Sequence, residues 1–66
     1  MDPDKDTAEA AVRALVEKNI RLRPKFWKPG KPLEYAGEDR LYHTFFYDGI
    51  EIGYIKAEKR AAVVPR

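Results

Sequence analysis

The spacing of hydrophobic positions changes along this chain, and each change marks an element. Between Ala8 and Val16 the apolar residues are Ala8, Ala11, Val12, Leu15 and Val16. Their offsets of three, four, seven and eight make one stripe on a helix. Glu9, Arg13 and Glu17 fall on the opposite side, where Arg13 can pair with either acid. Asp6-Thr-Ala-Glu9 has the spacing of a capping box, so the helix is predicted to open at Asp6 or Thr7. Lys18 suits its last turn and Asn19 its C-cap. Two of the five stripe residues are alanine, which fits close packing of the helix on a sheet.

From Arg40 to Ala57, RLYHTFFYDGIEIGYIKA, the spacing becomes two. Two β-branched and aromatic runs flank Asp48-Gly49, a dipeptide suited to a type I′ hairpin turn. A two-residue loop sets the register. Tyr47 opposes Ile50, Phe45 opposes Ile52, His43 opposes Tyr54 and Leu41 opposes Lys56 on one face. Phe46 opposes Glu51, Thr44 opposes Gly53, Tyr42 opposes Ile55 and Arg40 opposes Ala57 on the other. The first face, with Leu41, Phe45, Tyr47, Ile50, Ile52 and Tyr54, is the predicted seat of the helix.

The second face is too apolar for a sheet side left to water, because Tyr42, Phe46 and Ile55 stand on it. Gly53 is placed where a neighbouring ring can cover its bare backbone. Two covers are open. Either the segment from Ile20 to Tyr35 folds over this face with Phe26 and Trp27, or another protein chain does.

Between helix and hairpin lies KNIRLRPKFWKPGKP, residues 18–32. Pro24, Pro29 and Pro32 exclude helix after Arg23. Ile20 and Leu22 alternate with Arg21 and Arg23, so a short edge strand is an alternative there. Leu33 to Ala36 alternates as a further short strand, and Gly37-Glu-Asp39 turns the chain into the hairpin. Residues 61–66 read as a tail, with Val63 and Val64 able to dock as an edge instead. The expected fold is α+β: an N-terminal helix packed on a small three-stranded antiparallel sheet with a C-terminal β-hairpin. It forms a single domain over 1–66 whose ends, 1–5 and 61–66, are flexible.

Composition narrows the chemistry. A chain of 66 residues buries only roughly 60% of its unfolded surface, so its stability is marginal unless something adds to it. There is no cysteine, hence no disulfide and no thiolate metal site, and one histidine cannot build a metal site alone. His43 also lacks a serine or cysteine partner for nucleophilic catalysis, because the sequence contains neither. No catalytic residue, metal, cofactor or small-molecule substrate is expected, and the protein is read as not an enzyme. The acidic, polar start and the lack of a long apolar run point to a cytoplasmic protein with no membrane partner.

Charge is segregated although the net is only +2. Residues 1–17 carry −3, residues 18–32 carry +6 with no acid, residues 33–58 carry −4, and residues 59–66 carry +3. Cations interleaved with aromatic rings suit a nucleic-acid backbone and its unpaired bases. Arg21, Arg23, Lys25, Phe26, Trp27, Lys28 and Lys31 are therefore the candidate nucleic-acid-binding residues of a small non-catalytic binding module. The alternative is a protein-interaction or self-associating module, a homodimer for instance, using Tyr42, Phe46 and Ile55. Burial of Trp27 against Tyr42, Phe46 and Ile55 would make the basic stretch a structural flap. Exposure of Trp27 among the cations would favour nucleic-acid binding.

Overall fold

A computed structural model describes residues 3–65. Helix α1 spans Pro3–Leu22, followed by strands β1 (Leu33–Glu38), β2 (Tyr42–Tyr47), β3 (Ile50–Ile55) and β4 (Arg60–Val63). The strands form one antiparallel sheet in the order β1-β2-β3-β4, and α1 packs across one of its faces. The α+β class is as expected, but the sheet has four strands and not three. Residues 61–63, expected to belong to a tail over 61–66 unless its valines docked as an edge, form β4 with Arg60 and pair with β3, Ile52 facing Val63 and Tyr54 facing Ala61. Arg66 lies outside the described residues, as do Met1 and Asp2 at the other end. Among the described residues no helix is long and apolar enough to cross a membrane.

The helix is longer than its stripe predicts at both ends. Proline at the first helical position forfeits nothing, because an N–H there has no partner inside the helix. Asp4 and Asp6 then lie in the first turn, where negative charge suits the helix dipole. Asp6 is thus inside the helix and does not cap it. At the other end Ile20 and Leu22 are helical, which corrects the edge strand expected there. Ile20 continues the ridge of Ala8, Val12 and Val16 at four-residue steps and packs against the core. Leu22, in line with Leu15 at the very end of the helix, is 66% exposed. Asn19 is not a cap: its side-chain amide donates to the Leu15 carbonyl within the helix, at 2.8 Å. The expected Glu9–Arg13 pair forms at 3.4 Å, exposed on the outside of the helix.

The central hairpin has the register read from the sequence, from Tyr42 opposite Ile55 to Tyr47 opposite Ile50. Its turn residues Asp48 and Gly49 both have positive φ, 51° and 78°, as a type I′ turn requires. Phe45, Tyr47, Ile52 and Tyr54 are buried beneath Ala8, Val12 and Val16 of α1. Leu41 is not part of this core. It precedes β2, in the β1–β2 connection, and is 61% exposed. Asp39 shapes that connection: its carboxylate accepts the N–H groups of Leu41 and Tyr42, each at 2.8 Å. These two donors hold the Asp39 carboxyl below the usual carboxylate range.

The β3–β4 connection turns at Lys56 to Lys59, where Lys59 donates its N–H to the Ile55 carbonyl at 2.7 Å. Lys59 has a φ of 54°, a left-handed conformation that crowds a Cβ atom. Lys59→Gly is expected to stabilise the protein by roughly 0.5–1 kcal/mol. A urea midpoint unchanged or lowered in that variant would mean that this turn is not strained.

Candidate functional site

The basic segment starts in the last turns of α1 and runs to the edge of β1. Pro24 stops the helix, and the chain reverses in a tight turn in which Phe26 and Trp27 both donate their N–H groups to the Arg23 carbonyl, at 3.0 and 2.9 Å. That turn separates two adjacent rings. Trp27 points inward, 5% exposed, and stacks on Tyr47 with ring centroids 6.1 Å apart and planes 15° apart. Phe26 points outward, 74% exposed. The Tyr47 hydroxyl then donates to the Lys28 carbonyl and accepts the Lys31 N–H at 3.4 Å. A buried indole and a tyrosine hydroxyl therefore fasten a loop that has no regular structure of its own.

Trp27 thus lies neither on the second face nor among the cations, but in the core beneath the helix. The segment does not cover Tyr42, Phe46 and Ile55 with Trp27, contrary to the internal cover considered from sequence. The cations have a common fate. Lys18, Arg21, Arg23, Lys25, Lys28 and Lys31 are all exposed. Among the described residues none of the six forms an ion pair with an acid, whereas Arg13, Lys56 and Arg60 do. The acidic helix face and the acidic sheet do not neutralise this stretch. Leu22 and Phe26 are the exposed apolar groups within it, and a shallow groove of about 480 Å³ runs from Ala14 and Lys18 to Leu22 and Arg23.

On the outer face of the sheet, away from α1, Tyr42 and Ile55 are cross-strand partners and Phe46 pairs with Glu51. Tyr42 is 40% exposed, while Phe46 and Ile55 are half-buried. The bare backbone of Gly53 is covered as expected. An added Cβ there would lie 3.7 Å from the Tyr42 ring and 3.6 Å from a Val64 methyl. Val64 reaches this position because its N–H bonds to the Glu51 carbonyl at 2.9 Å, just beyond β4. A groove of about 350 Å³ lies over Gly53, walled by Tyr42, Ile55, Ala62, Val64 and Pro65. Ala62 and Val64 are outside the sequence-derived set because residues 61–66 read first as a tail, with docking of Val63 and Val64 as an edge only the alternative. The alternation Arg60-Ala-Ala-Val63 is too weak a signal by itself.

His43 is a core residue. It is fully buried, with Nδ1 3.1 Å from the Tyr35 hydroxyl. Its Nε2 has no hydrogen-bond partner and stands 3.8 Å from an Asp4 carboxylate oxygen and 3.7 Å from one of Glu38. Glu38 reaches this side of the sheet through a bulge. Pairing slips between Tyr35 and Gly37, so Glu38 and not Gly37 lies opposite His43. Gly37 has a φ of 104°, which a side chain would resist. Glu38 also accepts from Lys56 Nζ at 2.6 Å, and that ammonium donates a second bond to the Asp39 carbonyl at 2.7 Å. The Glu38 carboxylate holds the Lys56 ammonium above its usual range. Lys56 thus occupies the cation's place beside these acids. Among the described residues no cluster of three or more His, Asp or Glu side chains is arranged to hold a metal ion.

Comparison with known proteins finds no matching family model, no matching curated protein and no matching solved structure.

Proposed function

We propose that the protein is a nucleic-acid-binding module that contacts single strands through residues 18–31. The supporting observation is the set of six exposed cations, unpaired among the described residues: Lys18 and Arg21 in the last turns of α1, and Arg23, Lys25, Lys28 and Lys31 on the loop fastened to the core by Trp27 and Tyr47. Arg21, Arg23, Lys25, Lys28 and Lys31, joined by Lys18, neutralise backbone phosphates. Phe26, standing outward among them, stacks on an unpaired base. Trp27 does not stack on the ligand; it is the anchor that presents Phe26. A fastened loop loses less conformational freedom on binding than a free one, so more of the contact energy appears as affinity.

Titration of a fluorescent single-stranded oligonucleotide over a range of salt concentrations tests this. The dissociation constant should rise with salt, with a log–log slope approaching about 4 if all six cations are engaged. Phe26→Ala should weaken binding by roughly 5- to 150-fold, the equivalent of ~1–3 kcal/mol of stacking, and leave the slope unchanged. Lys28→Ala should instead reduce the slope by ~0.7. No binding at low salt, or binding indifferent to salt, sinks the proposal. Equal affinity for duplex with no effect of Phe26→Ala would remove the single-strand assignment.

A further inference from the structure

The outer face of the sheet is complementary to itself, and we infer that it pairs two copies of this chain face to face about a two-fold axis. The register arranges that face in three cross-strand rows. Glu34, Phe46 and Glu51 make the row at the Asp48-Gly49 end. Thr44, Gly53 and Ala62 make the middle row. Tyr42, Ile55 and Arg60 make the row at the opposite end. The first row is acidic around an aromatic ring, the last is basic beside an aromatic and an aliphatic side chain, and the middle one is small.

A half-turn about an axis along the middle row lays each end row over the opposite end row of the second copy. Phe46 then meets the partner's Tyr42 and the partner's Ile55, and Glu51 approaches the partner's Arg60. Symmetry repeats each contact. The groove of about 350 Å³ over Gly53, bounded by Tyr42, Ile55 and Ala62, lies on this axis, so the two copies' hollows face one another and Phe46 stands outside them. With the Tyr42 ring and a Val64 methyl lying over Gly53, the two sheets meet through side chains, at the roughly 10 Å spacing of packed sheets. Arg60 now pairs with Glu58 at 2.7 Å, both side chains well exposed. Such a surface pair is weak and screened, so it competes little with an acid brought over Arg60.

A second copy fits these rows better than an unrelated partner because one chain supplies both members of every contact. Four strands at about 4.8 Å and six residues at about 3.4 Å give a face roughly 20 Å on a side. That is about 400 Å² per copy, half the extent of a standard interface, so the association is of the weak class. Dimerisation would also cover the apolar side that the helix leaves open, adding buried surface to a small domain.

Sedimentation equilibrium between ten and several hundred micromolar (order-of-magnitude range for such a face) tests the pairing. The wild-type chain should dimerise, more weakly at high salt. Glu51→Arg and Arg60→Glu should each weaken the dimer by about tenfold or more, since each change acts twice. The double variant should recover most of the loss, because it exchanges the signs and keeps the pairs. Phe46→Ala should leave a monomer, with circular dichroism confirming that each variant remains folded. A wild-type monomer throughout the range overturns the inference. So does a dimer indifferent to Glu51→Arg, Arg60→Glu and Phe46→Ala, which would indicate pairing by a strand edge. None of these residues belongs to segment 18–31, so failure of oligonucleotide binding leaves this result interpretable, and the reverse holds too.

Discussion

Trp27→Ala is expected to destabilise the protein by about 3–5 kcal/mol, the range for removing a large aromatic from a packed core. For a chain of 66 residues the whole folding free energy is roughly 3–10 kcal/mol, so the variant should be largely unfolded or close to it. The reasoning is local. Trp27 is almost completely enclosed and lies parallel to Tyr47, whose hydroxyl holds the Lys28 carbonyl and the Lys31 N–H. Without the indole, one side of the Tyr47 ring loses its packing, and residues 24–32 lose their attachment. Phe26→Ala is the matched control. Its ring is mostly in water, so stability should change by less than about 0.5 kcal/mol. Urea unfolding followed by circular dichroism reads both. Equal midpoints for the two variants would show that the packing assigned to Trp27 is wrong.

Phe45→Ala should cost a similar amount, about 3–5 kcal/mol. Phe45 is fully buried at the centre of the sheet, opposite Tyr35 on one side and Ile52 on the other. Its ring meets that of Tyr35 at a centroid distance of 5.1 Å and an angle of 59°, a favoured tilted arrangement. The fully enclosed helix residues over the sheet, Ala8, Val12 and Val16, are all small, and the larger Leu15 and Ile20 are only partly buried at the margin of the core. Relaxation into the cavity should therefore be limited, and the loss should fall in the upper part of the range. Leu41→Ala provides the comparison, since Leu41 belongs to the same face by simple alternation. Being exposed beyond the end of β2, it should change stability by under ~1 kcal/mol. A cooperative thermal transition for Phe45→Ala near the wild-type temperature would refute the cavity argument.

The differing fates of Phe45 and Leu41 show where sequence reading reaches its limit. Alternation assigns both to one face, and that is valid while the chain remains a strand. It ceases to hold at Asp39, whose side chain captures the N–H groups of Leu41 and Tyr42. The connection between β1 and β2 then turns on side-chain hydrogen bonds that period-two counting does not register. Ile20 and Leu22 mislead for a related reason. Two apolar residues spaced by two fit a strand over four residues, but Ile20 also lies four beyond Val16, and the helical ridge prevails because it reaches the core.

The binding surfaces were legible to different degrees. The six cations of residues 18–32 are plain in the sequence, and Phe26 and Trp27 are plain as a pair. Which ring faces inward depends on the turn at Arg23, where one carbonyl receives two N–H groups, and on the parallel approach to Tyr47. The outer face was recognised through Tyr42, Phe46 and Ile55. Its hollow was not, because Ala62 and Val64 join it only once the end of the chain becomes β4 and continues past it.

By itself, the sequence determined the hairpin, its turn and its register, the helix stripe and the separation of charge. Each depends on neighbours close in the chain: Asp48-Gly49 has the backbone freedom for a type I′ turn, and the periods of two and four follow from local geometry. Tertiary structure alone decided the fourth strand, the inward path of Trp27, the bulge that sets Glu38 opposite His43 and the open outer face. Those features depend on how whole elements pack, where burial and the pairing of backbone groups outweigh local preference.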